Sequence, residues 1–256
     1  MTSWANLNTV SLKKKEPIRN FFSSDEDYAT ATLKFLYTYV YLQRNADPFF
    51  VYDEQGYFQP LLKTSPVIHY MKETGQGMNY ANDIKSFDSV FKTISLQSFR
   101  RTVNSVYQYN PFTASKIETI LSTSGLRKQI YDVGIVLDIS GCVPTVIAGL
   151  KQFQKRTGKK TLNVFVMTND MDLLKEFAMT GDTSWNYVSL MRTNPPKEAD
   201  YLLFKTLAEL QIMREIEYLA LRFSSSLGKL LYLTSSKVLT ESQVIRLDNS
   251  SWKLLE

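Results

Sequence analysis

A chain of 256 residues fits one large α/β domain or two small ones, since single hydrophobic cores stop growing near about 250 to 300 residues. With 44% hydrophobic and 21% charged residues, and only 10 Gly and 8 Pro, the composition excludes a collagenous or largely disordered chain. The excess of 30 Lys plus Arg over 25 Asp plus Glu leaves +5, spread without a dense basic stripe, so a nucleic-acid partner has no support.

A lone cysteine, Cys142, excludes an internal disulfide and a Cys-based zinc site. No window of about 18 apolar residues offers a membrane span, so the expected location is cytoplasmic by default. Residues 1–27 read as a polar, basic arm whose closing Ser23-Ser24-Asp25-Glu26-Asp27 cluster marks a helix start. Leu33, Leu36, Tyr37, Val40 and Tyr41 then recur at helical spacing and predict an amphipathic core helix over 28–44. Phe49-Phe50-Val51-Tyr52 predicts a short buried strand ending at Asp53.

Residues 55–77, with Pro60, Pro66, scattered glycines and the only histidine, His69, read as loop and short helix, and 85–107 as strand and loop. Pro111, after Tyr109-Asn110, starts a helix reaching about residue 129. Beyond it the pattern becomes regular. Val133-Gly134-Ile135-Val136-Leu137-Asp138-Ile139 is a continuous apolar run of the kind shown by parallel strands covered on both faces. A helix over 144–156, stopped by Gly158, and a strand over 163–167 complete a βαβ unit. A helix over 171–179, a strand over 185–190, the loop Thr193-Asn194-Pro195-Pro196, a helix over 200–216 and the strand Tyr218-Leu219-Ala220-Leu221 follow. The expected fold class is therefore α/β, with a C-terminal doubly wound parallel, Rossmann-like sheet over 130–256 and a smaller N-terminal α/β lobe over 28–129.

Ligands of such sheets bind at the carboxyl ends of the strands, where three polar segments stand: Asp138-Ile139-Ser140-Gly141, Thr168-Asn169-Asp170 and Arg222-Phe223-Ser224-Ser225-Ser226. Thr168-Asn169-Asp170-Met171-Asp172-Leu173-Leu174-Lys175 resembles the Thr-Asp-Asp-Pro segment and leucine-rich helix start of the fucosyltransferases of the core α1,6 and protein O-linked types. Phe223-Ser224-Ser225, followed by Leu230 and Tyr232, resembles their Phe-Ser-Ser turn. Glu209, in Leu207-Ala208-Glu209-Leu210, stands where that family carries an acidic residue implicated in donor binding, and Tyr109-Asn110-Pro111 resembles its Pro-containing segment before the first donor-domain strand. The resemblance covers the C-terminal half. It implies a GT-B architecture, a GDP-linked nucleotide-sugar donor, no cofactor or metal, and a glycan or protein acceptor. Asn169, Asp170, Glu209, Ser224 and Ser225 would then hold the donor.

One departure changes the chemistry. The family ends its first donor-domain strand in His-x-Arg-Arg, whereas the matching positions here are Val136 and Asp138. Phosphates at about 4 Å from Asp138 would be repelled by several kcal/mol at an effective dielectric of about 20, where an arginine would attract them. Arg222, directly before the Phe-Ser-Ser match, either replaces the lost contact or pairs with Asp138 or Glu217. Asp138 and Arg222 are therefore the candidate catalytic pair. Each remaining site residue has a plain alternative: helix caps for Asn169, Asp170 and the serine turn, a solvated helix face for Glu209. His69 has no Gly-x-Ser-x-Gly elbow to support it, and no Asp-x-Asp pair stands where it would hold Mg²⁺ against a diphosphate. Asp53, Asp138 and Glu209 remain as candidate bases. Two functions are thus expected: a fucosyltransferase-like glycosyltransferase with an altered donor site, or an inert structural protein of the same fold with protein partners, such as a virion or viral assembly component.

Overall fold

The computed structural model describes residues 19–22, 27–44, 49–53, 57–65, 68–71, 95–126, 129–191, 200–237, 239–250 and 252; the predicted loop at 193–196 lies outside them. The chain divides into two units, 1–114 with 252–256, and 115–251.

The first unit carries a parallel sheet of order β1-β2-β3, made of β1 (Arg19–Phe22), β2 (Phe49–Asp53) and β3 (Ile68–Met71). The helix α1 (Tyr28–Arg44) connects β1 to β2 and starts at Asp27, whose carboxylate accepts from the Thr30 amide at 2.9 Å and the Thr30 hydroxyl at 2.7 Å. This is the start that the acidic cluster announces. Over 31–40 the helix is not amphipathic as its stripe suggests. Every residue from 31 to 40 is buried, Lys34 included, and Thr32 and Thr38 behave as core residues by satisfying their hydroxyls on the carbonyls of Tyr28 and Lys34. Phe35 stacks on Phe58 with ring centroids 4.5 Å apart, and Tyr37 meets Phe99 edge-on.

Three expectations for this unit fail among the described residues, and 85–94 lie outside them. The loop reading of 55–77 misses β3, a short strand hidden behind Pro66, and His69 lies within it opposite Phe50. The strand-and-loop reading of 85–107 misses α2 (Leu96–Val106), capped by the Ser95 hydroxyl. Its buried residues Phe99, Arg100, Val103 and Val106 keep helical spacing, diluted by the polar residues between them. The arm likewise contains β1. Asn110 caps α3 (Pro111–Ser124) by accepting from the Thr113 amide at 2.9 Å, as the Asn-Pro pair predicts.

The second unit is a five-stranded parallel sheet of order β6-β5-β4-β7-β8: β4 (Val133–Leu137), β5 (Leu162–Thr168), β6 (Trp185–Val188), β7 (Leu219–Leu221) and β8 (Val244–Arg246). Helices α4 (Val143–Thr157), α5 (Met171–Thr180), α6 (Tyr201–Glu215) and α7 (Ser226–Thr234) link them. The order is that of a doubly wound sheet whose direction of winding reverses between β4 and β7. Val133, Ile135 and Leu137 face a core built with Val146, Leu150 and Phe153 of α4 and Leu173 and Phe177 of α5. On the other face, Gly134 admits α6: a Cβ there would lie 2.5 Å from Met213 Sδ and 3.1 Å from Ile216 Cδ1. Gly158, at φ 67°, ends α4 as predicted. β8, three residues long, is absent from the sequence reading.

Candidate functional site

The carboxyl ends of β4 and β7 define the switch point, and Asp138 and Arg222 are the first residues beyond them. They form an ion pair with Arg222 Nη1 donating to Asp138 Oδ1 at 2.9 Å, and their side chains keep only 22% and 17% of their exposure. The pairing alternative is therefore the one realised, and with Asp138; Glu217 instead accepts from the Gln243 side-chain amide at 3.4 Å. Gly141, at φ 78°, turns the chain from β4 into α4 in a left-handed conformation that favours glycine. The helices that follow the two strands, α4 and α7, begin at Cys142 and Ser225 without a side-chain cap. Their amide ends carry partial positive charge beside the ion pair.

The serine turn divides its roles. Ser224 donates its amide and its hydroxyl to Asp248 Oδ2, both at 2.7 Å. Although partial burial pushes upward, these bonds, with the Phe223 and Ser250 amides, hold the Asp248 carboxyl below the usual range. Asp248 is a site residue the sequence reading misses, because nothing local ties it to a turn 24 residues away. Ser225 occupies the cap position of α7 with its hydroxyl uncommitted to the helix. Arg246 lies over the Phe223 ring at 4.7 Å, completing a cluster of two acids and two arginines at this edge.

One strand over, Thr168 donates its hydroxyl to the Leu137 carbonyl at 2.8 Å and accepts from the Asp170 amide at 3.0 Å, tying the end of β5 to the end of β4. Asp170 caps α5, accepting from the amides of Asp172 and Leu173. Asp170-Met171-Asp172 has Asp-x-Asp spacing, but Asp172 is exposed and pairs with Lys175 at 3.0 Å. Among the described residues no group of three or more His, Cys, Asp or Glu could hold a metal ion, and no helix is long and apolar enough to cross a membrane.

Glu209 departs from the solvated-face alternative. It and Lys205 are each 1% exposed on α6 and pair at 2.7 Å. Lys205, a second residue the sequence reading passes over, also donates to the Thr168 carbonyl at 2.7 Å and to Asn169 Oδ1 at 3.0 Å. Glu209 is thus not presented to solvent; it acts on the edge only through Lys205. Burial pushes its carboxyl up to about 7, against the opposing pull of Lys205. A folded pKa above the unfolded value near 4.5 stabilises below pH 4.5 and loses that contribution as pH rises through about 7. Glu209→Gln removes this titration, so its stability relative to the parent improves from pH 5 to pH 8 in urea denaturation. A difference independent of pH would contradict the assignment. Asp53, the remaining candidate base, accepts from the amides of Tyr57, Phe58 and Gln59 and shapes the loop after β2.

No protein-family model matches the sequence, and no curated protein sequence does. Solved structures match. A crystal structure of NodZ α-1,6-fucosyltransferase soaked with GDP-fucose superposes with a TM-score of 0.56 at 9% identity, covering 86% of this chain and 93% of that one. A mutant of Arabidopsis thaliana FUT1 in complex with GDP gives 0.59 at 10% identity over 91% of this chain and 76% of that one. POFUT1 in complex with GDP gives 0.53 at 8% over 90% and 98%. The α/β fold, with its five-stranded parallel sheet, matches the structures of GT-B fucosyltransferases.

Proposed function

We propose that the second unit binds a nucleoside diphosphate sugar at the β4/β7 switch point and that the chain is a fucosyltransferase-like, metal-independent glycosyltransferase with a rebuilt phosphate contact. The observation that carries this reading is Arg222, a cation held at the switch point of a doubly wound sheet between two helix amino ends that lack side-chain caps. The structural neighbours bound to GDP or GDP-fucose support the choice of nucleotide. Asp138 stands where the resemblance sets a clamping arginine. A diphosphate must therefore take Arg222 from Asp138, and transfer would rest on Arg222 and the helix ends stabilising the leaving diphosphate. Ser225 and Asn169 add neutral hydrogen bonds, while Asp170, Ser224 and Glu209 shape the edge.

A second reading is favoured by the same ion pair: Asp138 neutralises Arg222, and Asp248 already engages Ser224, as an inert structural or interaction protein of this fold would tolerate. Calorimetric titration with GDP, UDP, dTDP and GDP-fucose, without metal, separates the two. The donor-site reading predicts saturable binding, weakened about 10- to 100-fold by Arg222→Ala through loss of a charge-assisted contact. Asp138→Asn should tighten binding by roughly 10-fold, because the competing carboxylate is gone. No binding of any nucleotide at millimolar concentration would leave the scaffold reading.

A further inference from the structure

Asn169 is held in one orientation by a group that can only donate. An ammonium has three N–H donors and no acceptor, and Lys205 directs all three, to the Thr168 carbonyl, Glu209 Oε1 and Asn169 Oδ1. The amide oxygen of Asn169 must therefore face inward, toward Lys205, because the alternative orientation would set N–H against N–H. Its Nδ2 consequently turns away from Lys205. Asn169 itself is exposed, and among the described residues Nδ2 has no hydrogen-bond partner. The anchor is firm: Lys205 is 1% exposed, and Thr168 is bound to both Leu137 and Asp170 on the same edge.

We propose that Lys205 is a positioning residue that makes Asn169 a fixed hydrogen-bond donor of the binding edge, beside Asp138, so that the ligand atom it meets is an acceptor oxygen of the nucleotide diphosphate. The inference deepens the donor-site reading and rests on it. It assigns Lys205, which touches no ligand, the task of setting the polarity of a residue that does. An asparagine free to rotate would accept as readily as donate and would not discriminate between ligand groups.

Asn169→Asp tests it with little structural disturbance. The carboxylate retains the bond to Lys205 and the shape of the side chain, but its outward atom changes from donor to acceptor. The expected result, in calorimetric titrations with GDP and UDP at pH 8, is an affinity at least about 10-fold lower than that of the parent chain. The thermal midpoint should be unchanged or higher, which a merely structural role would not combine with weaker binding. Asn169→Ser, which keeps a small donor, should bind more tightly than Asn169→Asp. Equal affinities of Asn169→Asp and the parent would overturn the polarity assignment and leave the donor site standing. Failure of the parent itself to bind GDP or UDP would remove the donor site and this inference with it.

Discussion

Gly228→Ala is expected to lower the stability of the second unit by about 4 kcal/mol, at the upper end of single-residue effects, and its thermal midpoint by roughly 10 °C. Gly228 lies in the first turn of α7, where a Cβ would collide with the carbonyl oxygen of Arg222 and come within 3.0 Å of its carbon. Backbone at the end of a sheet strand cannot give way as a side chain can. Alanine is the better helix former by about 1 kcal/mol, so the collision must exceed that gain for the substitution to destabilise. Gly149 provides the control: within α4, a Cβ there meets only the Ile245 Cγ2 methyl at 2.9 Å and Leu247 at 3.5 Å. Gly149→Ala should change stability by no more than about 1 kcal/mol, crowding and helix propensity opposing one another. Thermal denaturation of the two variants side by side checks the argument, and equal midpoints would refute it. The same contact seats the amino end of α7 against Arg222, so the residue that packs the helix also sets the geometry of the switch point.

The sequence makes the second unit legible because β4 and β5 are apolar runs long enough to be recognised, separated by helices with ordinary stops such as Gly158. Strand order is another matter. Nothing local places β7 beside β4, yet that adjacency is what brings Asp138 to Arg222 across 84 residues. Val244-Ile245-Arg246 is too short to register as a strand, and Asp248 after it escapes notice for the same reason. In the first unit, the polar residues of α2 and the flanking Pro66 of β3 mask elements that tertiary packing nonetheless enforces. Glu209 carries a signal that periodicity alone could have used. Phe204, Leu207, Ala208, Leu210, Ile212 and Met213 leave α6 no polar face, so a charged residue among them has to be buried, and a partner four residues away is the nearest way to neutralise it.

That pairing yields the other large effect. Lys205→Met should destabilise the second unit by about 3 to 5 kcal/mol, the range for removing one partner of a buried ion pair. Methionine fills much of the lysine volume, so the loss arises from the polar groups left behind rather than from a cavity. Glu209 Oε2 already has no hydrogen-bond partner among the described residues, and without Lys205 its Oε1, the Thr168 carbonyl and the Asn169 oxygen lose their shared donor. Removing the cation also removes the one influence that lowers the Glu209 carboxyl, so the folded-state value rises further above about 7. The contribution of a group whose folded pKa is raised declines as pH climbs toward that value, so the deficit of Lys205→Met relative to the parent must be larger at pH 8 than at pH 5. The double variant Lys205→Met with Glu209→Leu removes both charges and should recover most of the lost stability, leaving chiefly the unmet carbonyl of Thr168. Urea denaturation of the two single variants and the double at both pH values decides the matter. A double variant no more stable than Lys205→Met would mean that the cost lies in the bonds to Thr168 and Asn169 rather than in the stranded carboxylate, and would make Lys205 a brace of the β5 end first and a counter-ion second.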